Sequence, residues 1–227
     1  MPRLNSPRTI PVNQRIEHVS PRTPIDWRSN LLTYSEQLSD SSWTSTALVV
    51  SENTADVLDP RGSTRADKLT DSVGSTVHRV TKTITISSIV NNVHVIGSYV
   101  NCSCFMKQGT NQYGAIVLDG TGASSALFNL STGTVAKFPA GAGNFAEISF
   151  VSDGWYRCSL TAKANNNSAT YEIWIPKNDG SAYTYTGTGT TTLYVWGAQL
   201  VWKNEPSMYV QTMSAKLDSN VRSRIAP

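Results

Sequence analysis

Short runs of alternating apolar and polar residues recur along most of this 227-residue chain. In the clearest run, VHRVTKTITIS at 77–87, Val80, Ile84 and Ile86 alternate with threonines. That period of two predicts a strand with one buried face. Similar runs predict strands at 47–53, 64–71, 93–107, 113–119, 125–131, 134–138, 145–152, 155–163, 170–177 and 191–202.

Turn-forming segments such as DGTGAS, AGAGN and NDGS separate these runs. The one short segment that resembles a helix, TYSEQLSD, is interpreted as a turn or a single helical turn. About ten short strands with frequent turns are typical of an all-β fold built as an antiparallel β-sandwich. We therefore predict one such sandwich over residues 31–212.

The first thirty residues have a different composition, since five of the chain's ten prolines lie there. Prolines at this density prevent a lasting helix or central strand. We predict that residues 1–30 form an extended Pro/Arg-rich arm that orders against a partner protein, and the alternative is a tail without a function. The predicted anchoring residues combine guanidinium groups with apolar side chains: Arg3, Arg8, Ile10, Arg15, Ile16, Arg22 and Trp27.

The net charge of +3 is concentrated at the two ends of the chain. Residues 1–30 carry five arginines against Glu17 and Asp26, and residues 213–227 form a second basic tail. Residues 31–212 are nearly neutral, so we expect the sandwich itself not to bind nucleic acid. Basic tails of this kind usually dock on an acidic partner surface or on nucleic acid, and we favour a protein partner for the arm.

Residue patterns that carry catalysis are missing from the sequence. The histidines His18, His78 and His94 follow no metal-ligand spacing, and no nucleophile or phosphate-loop motif occurs. We expect no cofactor, no metal and no catalytic residue, and three reduced cysteines. No apolar run is long enough to span a membrane. Two alternatives stay open: a structural calcium ion near Asp56, Asp59 and Asp67, and a sugar hydrolase that uses some pair of the acidic residues.

Aromatic residues near the end of the chain are candidate glycan contacts, because sugars stack on exposed rings. Trp174 lies in a predicted strand, and Tyr183 and Tyr185 lie in the following loop, on the same side of an extended chain. In DGWYRCSLTAK, at 153–163, alternation places Tyr156 in the core and Arg157 on the outer face. The alternative for these aromatic residues is packing or subunit contact.

Four sequence blocks occur in one order. They are NLLTYSEQL at 30–38 with Trp43, ADKL at 66–69, SDGWYRCSLT at 152–161, and YVWGAQL at 194–200 followed by Pro206, Tyr209 and Thr212. This arrangement resembles the jelly-roll, carbohydrate-binding-module-like domains of bacteriophage tail and virion appendage proteins. The resemblance covers residues 30–212 and departs at Val201 and Trp202, where an acidic residue commonly stands.

The resemblance implies a jelly-roll-like sandwich and a non-enzymatic structural protein of a tailed bacteriophage virion. We expect a tail fibre or appendage subunit, made in the bacterial host cytoplasm and located on the virion, that forms a homo-oligomer, with a trimer favoured. Its arm would dock on a tail adaptor, tail tube or capsid protein. The alternatives are a capsid decoration protein and a glycan-binding module that recognises a host surface polysaccharide. The resemblance also implies that SDGWYRCSLT is part of the framework rather than a ligand site.

Deletion of residues 1–27 tests the arm. We expect the truncated protein to fold as the full chain does, by circular dichroism, and to be absent from purified particles. Normal incorporation of the truncated protein into particles would contradict the anchoring role.

Overall fold

The computed structural model describes residues 30–85, 99–119, 124–163 and 168–213. The predicted arm contacts, Arg3 to Trp27, lie outside the described residues, as do the predicted strand segments 86–87 and 93–98 and the tail from residue 214.

Thirteen strands and no helix form the described part of the chain. They are β1 (Thr44–Thr46), β2 (Leu48–Ser51), β3 (Asp67–Asp71), β4 (Gly74–Thr85), β5 (Tyr99–Gln108), β6 (Tyr113–Asp119), β7 (Ser124–Asn129), β8 (Thr134–Lys137), β9 (Phe145–Ser152), β10 (Trp155–Lys163), β11 (Ser168–Ile175), β12 (Thr184–Gly187) and β13 (Thr192–Val201).

The strands pair into two antiparallel sheets that face each other. The first sheet has the order β1-β4-β11-β6-β7-β8, and β12 also pairs with β4. The second sheet has the order β2-β3-β13-β5-β10-β9. This arrangement confirms the prediction of an all-β, antiparallel, jelly-roll-like sandwich.

Every predicted strand corresponds to an observed strand, and β6, β9 and β10 have the predicted bounds. The sequence did not predict β1 and β12. Both are short and polar, with the sequences TST and TYTG, and most of their side chains are exposed or half-buried. They pair through their backbones and bury little apolar surface, so they have no apolar alternation to detect.

The core lies between the sheets and contains the inward side chains of both. Ile116 and Ile173 come from the first sheet, and Met106 and Leu160 from the second. Tyr171 spans the core from β11 and donates its hydroxyl proton to the Ser103 carbonyl of β5 at 3.2 Å. A fully buried tyrosine needs such an acceptor, so this bond fixes one sheet against the other.

The three cysteines are free and buried within this core, as predicted. Cys102 and Cys104 lie on the same face of β5, and Cys158 of β10 lies directly opposite Cys104. Burial raises the pKa of Cys104 to about 12. These thiols therefore stay protonated and act as small apolar side chains.

The side-chain amide of Asn30 joins the beginning of the sandwich to its end. Its Nδ2 group donates to the carbonyl oxygens of Ala198 and Val210, at 2.9 and 3.0 Å. Its Oδ1 atom accepts from the backbone N–H groups of Leu32 and Leu200, each at 3.1 Å. All of the amide's donors and acceptors are thus used in a site that is almost fully buried.

A second set of hydrogen bonds, which begins at Ser35, joins the same two segments of the chain. The Ser35 hydroxyl accepts from the Thr212 backbone N–H at 2.8 Å and shares a hydrogen bond with the Tyr209 hydroxyl. Tyr209 in turn donates to Glu36 at 3.0 Å. The first and last sequence blocks of the resemblance therefore meet in space.

Asp67 of the ADKL block anchors the loops that precede it. Its carboxylate accepts from the backbone N–H groups of Leu38 and Asn53, at 2.9 and 3.1 Å. Burial, with smaller contributions from the nearby Glu52 and Glu36, raises the pKa of this carboxyl to about 6. The group therefore takes up a proton more readily in the folded protein than in the unfolded chain.

Replacing Asn30 tests the link between the two ends of the sandwich. We expect Asn30→Ala to lower the free energy of unfolding by about 3 kcal/mol, because it leaves two buried carbonyls and two buried N–H groups without partners. Urea unfolding measures the loss. The exposed Asn204 provides the control, since Asn204→Ala should change stability by about 0.5 kcal/mol or less. Equal losses in the two variants would contradict the role of Asn30.

The raised pKa of Asp67 should make the stability of the protein depend on pH. Its pKa is about 6 in the folded protein against an ordinary value of 3.8, so between these pH values the folded protein binds more protons than the unfolded chain. Its contribution to the free energy of unfolding therefore rises as the pH falls from 7 to 4. The difference between wild type and Asp67→Asn, from unfolding at several pH values, isolates this contribution. A difference that does not change with pH would contradict the raised pKa.

Candidate functional site

The outer face of the second sheet carries rows of side chains that cross four strands. One row runs from Trp196 of β13 through Phe105 of β5 and Arg157 of β10 to Ser149 of β9. The next row is Gln199, Ser103, Ser159 and Glu147. Residues opposite each other on paired strands share a face. This face is therefore aromatic at one end and rich in polar groups beyond it.

The C-terminal segment covers the β13 side of this face. The Tyr209 ring packs on Trp196 and Phe105, with ring centroids 4.9 and 5.9 Å apart. Gln199 holds the segment by accepting from the Val210 N–H at 2.8 Å and donating to the Ser207 hydroxyl at 3.1 Å. Among the described residues, Glu147, Ser149 and Val151 of β9 remain exposed on this face, and Arg157 of β10 is half-buried.

A cleft of about 400 Å³ lies at the edge of this cover. Strands β9 and β10 form its floor, and the segment at Glu205 and Pro206 forms one wall. Its lining consists of Glu147, Ser149, Val151, Arg157, Ser159, Glu205 and Pro206. The volume suits a ligand of one or two sugar rings.

A two-residue hairpin and the β-bulge next to it set the register of the cleft floor. Asp153 and Gly154 link β9 to β10 with φ angles of 45° and 73°. A type I′ turn needs positive φ at both central positions, and the Asp-Gly pair suits it. The Asp153 carboxylate also pairs with Lys107 of β5 at 2.8 Å. The hairpin alone would place Arg157 opposite Phe150. A β-bulge between Trp155 and Tyr156 shifts the pairing by one residue and places Arg157 and Ser159 opposite Ser149 and Glu147.

Arg157 is the half-buried cation of the cleft. One of its terminal nitrogens donates to the Ser103 hydroxyl at 3.1 Å, and its guanidinium carbon lies 5.7 Å from the centre of the Phe105 ring. Its Nε atom is buried and makes no hydrogen bond. Burial lowers the pKa of Arg157, but a guanidinium group stays charged at neutral pH.

Further along the face, polar groups are buried in the sheet. Asn101 donates to the Thr161 hydroxyl at 2.8 Å, while its Oδ1 atom has no partner. Ser103 and Ser159 are also almost fully buried. Hydroxyl and amide groups on an outer sheet face are the groups that recognise sugar hydroxyls.

The two glutamates of the cleft are exposed side chains at its rim. The general acid of a glycosidase is a carboxyl group held in an environment that raises its pKa. The exposed position of Glu147 and Glu205 suits hydrogen bonds with a ligand's hydroxyl groups.

The sequence-predicted aromatic contacts lie on the first sheet, away from this cleft. Trp174 and Tyr183 come together with ring centroids 5.3 Å apart, in an edge-to-face contact. Arg79 lies over the Trp174 ring at 5.4 Å, and Lys137 lies over the Tyr183 ring at 5.1 Å. Each ring therefore already has a cation on one face, which reduces the flat area available to a sugar.

Tyr185 does not join this pair. Its ring packs against His78, with centroids 4.4 Å apart, and its hydroxyl donates to Asp71 at 3.3 Å. Burial and the adjacent Asp71 carboxylate raise the pKa of Tyr185. Tyr185 lies within β12, which pairs with β4, whereas Tyr183 lies at a bend just before that strand, so the two rings reach different neighbours.

The acidic residues considered for calcium are used separately. Asp56 pairs with Lys68 at 2.8 Å, Asp59 accepts from the backbone N–H groups of Arg61 and Ser63, and Asp67 accepts from Leu38 and Asn53. Across the described ranges, no three His, Cys, Asp or Glu side chains gather as metal ligands. The same ranges contain no helix long and apolar enough to cross a membrane.

The framework role of the matched aromatic residues is confirmed by their burial. Trp155 is fully buried and donates its indole N–H to the Leu58 carbonyl at 2.8 Å. Trp43 and Trp196 are also buried. Sequence reasoning missed Arg157 as a cleft residue. The signal was present, because alternation places Arg157 and Ser159 on the outer face.

No family model matches the sequence, and no curated protein matches it. Among solved structures, the enzymatically active domain of bacteriophage CBA120 tailspike protein 4 is similar, with 13% identity and a TM-score of 0.41. The match covers 77% of this chain and 21% of the tailspike chain. This protein therefore spans about a fifth of that chain's length.

Two carbohydrate-binding structures are similar to the same degree. TmCBM61, solved with beta-1,4-galactotriose, has 7% identity and a TM-score of 0.41, over 77% of this chain and 99% of that one. The CBM22-1 and GH10 modules of Clostridium thermocellum xylanase 10B, solved with xylohexaose, have 13% identity and a TM-score of 0.38, over 81% and 29%. Similarity at this level assigns neither a family nor a ligand.

Proposed function

We propose that this chain is a non-enzymatic, glycan-binding sandwich of a tailed bacteriophage virion, and that glycan binds in the cleft between β9, β10 and the Glu205–Pro206 segment. The observation that carries the binding proposal is Arg157, a charged, half-buried side chain in a cleft lined with hydroxyl and carboxylate groups. Such a group orients a polar ligand in a site that is otherwise preformed.

The lining of the cleft suits recognition without catalysis. The exposed hydroxyl group of Ser149 and the carboxylates of Glu147 and Glu205 offer hydrogen-bond donors and acceptors to a sugar ring, above the almost fully buried Ser159. Both carboxylates are exposed, so neither has the buried setting of a general acid. We therefore assign the cleft to binding rather than to hydrolysis.

The placement on a virion rests on the order of the four sequence blocks. The framework bonds of Asn30, Ser35, Asp67 and Gln199 explain why these blocks occur together, since each makes a buried contact in the sandwich. In this proposal the arm anchors the chain to a tail adaptor, tail tube or capsid protein, and the sandwich projects as one subunit of a homo-oligomer, with a trimer favoured. A capsid decoration protein would use the same arrangement.

Binding to an array of bacterial surface glycans tests the proposed function. We expect the full chain to bind at least one glycan, and Arg157→Gln to abolish that binding because it removes the only cation among the described residues that line the cleft. Thermal unfolding checks that the variant is folded. Arg65→Gln is the matched control, because Arg65 has an exposed side chain that does not line the cleft, and its binding should equal wild type.

Tyr183→Ala and Tyr185→Ala separate the two candidate sites. If the cleft is the site, both variants bind glycan as the wild type does. Loss of binding in the tyrosine variants alone would move the site to the first sheet. An array without any binding, together with normal assembly into particles, would contradict glycan recognition and favour a purely structural role.

A further inference from the structure

The charge of Arg157 is not neutralised within the described chain. Its hydrogen bond goes to a neutral hydroxyl group, Ser103, and its stacking partner is the Phe105 ring. None of the described carboxylates lies within ion-pair distance of it, although Glu147 and Glu205 line the same cleft. A partly buried charge without a counter-charge is unfavourable.

Arg79 on the other sheet provides an internal comparison. It too is partly buried, lies against an aromatic ring, and has an unbonded Nε atom. Unlike Arg157, it donates to a carboxylate of the chain, Glu172, at 2.7 Å. Arg79 thus pairs with Glu172, its diagonal neighbour on the adjacent strand. The corresponding diagonal neighbour of Arg157 is Glu147, which is exposed at the cleft rim and makes no ion pair with Arg157.

A carboxylate is the ligand group that best neutralises the charge of Arg157. A guanidinium group presents parallel N–H donors that match the two oxygens of a carboxylate. The Ser103 bond and the Phe105 ring hold the guanidinium group in place before a ligand arrives, which reduces the entropy lost on binding. A neutral sugar would leave the positive charge without a counter-ion.

The rim of the cleft limits how much negative charge the ligand carries. Glu147 and Glu205 are exposed there and would repel a densely charged chain such as a sulfated polymer or a nucleic acid. A ligand with a single carboxylate at Arg157 and hydroxyl groups towards Ser149, Ser159 and Glu147 neutralises the arginine and avoids strong repulsion by the two glutamates. That combination of groups is found in an acidic sugar.

We propose that the cleft selects an acidic sugar residue, a hexuronate or a nonulosonate, whose carboxylate pairs with Arg157. This inference rests on the proposed glycan-binding function and specifies the chemical class of the ligand. Glu147 and Glu205 act in it as specificity residues, because they exclude ligands with more negative charge.

Nuclear magnetic resonance of the full chain, labelled at the arginine Nε atoms, tests the inference. The probes are sodium glucuronate, sodium galacturonate and N-acetylneuraminate, with glucose, galactose and acetate as matched controls at equal ionic strength. We expect at least one acidic sugar to shift the Arg157 Nε signal in a saturable manner. The affinity for the neutral sugars should be at least about tenfold lower than for the acidic sugar, since a hydrogen bond to a charged group contributes at least that factor. Acetate should also be about tenfold weaker, because it lacks hydroxyl groups.

Two variants sharpen the result. Arg157→Lys keeps the charge but loses the paired donors, and should weaken acidic-sugar binding about tenfold while leaving the protein folded. Glu147→Gln removes one negative charge from the rim and keeps an acceptor, and should strengthen binding of the acidic sugar but not of glucose.

The outcomes separate the inference from the function on which it depends. Equal binding of acidic and neutral sugars, or equal binding of acetate, overturns the acidic-sugar proposal while glycan binding stands. No shift of the Arg157 signal with any acidic sugar also overturns it. If the glycan array is silent as well, the proposed function itself falls.

Discussion

The sandwich depends on the buried side-chain amide of Asn30. This one group bonds to residues near both ends of the described chain, at Leu32, Ala198, Leu200 and Val210. Because every donor and acceptor of the amide is used, a shift of either segment would leave buried polar groups unpaired. The position of the C-terminal segment therefore follows from the position of residue 30, and so does everything that this segment covers.

The cleft is a consequence of that constraint. Once Gln199 and Tyr209 hold the C-terminal segment against β13 and β5, the segment shields only half of the outer face of the second sheet. The covered half is aromatic and stabilises the fold. The other half carries the half-buried Arg157 and the exposed Ser149 beside Glu205. The framework and the proposed binding surface thus share one sheet face and differ in whether the C-terminal segment lies over them.

The two partly buried arginines show how burial and charge together indicate function. Arg79 has an internal carboxylate partner, and its ion pair with Glu172 fixes Trp174 beside it, because the Trp174 indole also donates to Glu172 at 2.7 Å. The charge of Arg79 is therefore neutralised within the described part of the chain. Arg157 has only a hydroxyl group and a ring, so its environment favours an additional, external partner. The difference between a structural and a binding arginine lies in the neighbours, not in the residue type.

The sequence alone determined the class of fold, because strand alternation is a local property of neighbouring residues. It placed Tyr156 on the core side of its strand and Arg157 on the outer face, and in the structure Tyr156 packs half-buried against the core while Arg157 lies on the outer face. It missed β1 and β12, whose polar side chains leave no alternation. Only the tertiary structure decided which distant residues meet: Glu205 and Pro206 beside Arg157, Trp174 with Tyr183, and Tyr185 with Asp71. These contacts join residues far apart in the chain and depend on strand order and loop path, which the local pattern of side chains does not encode.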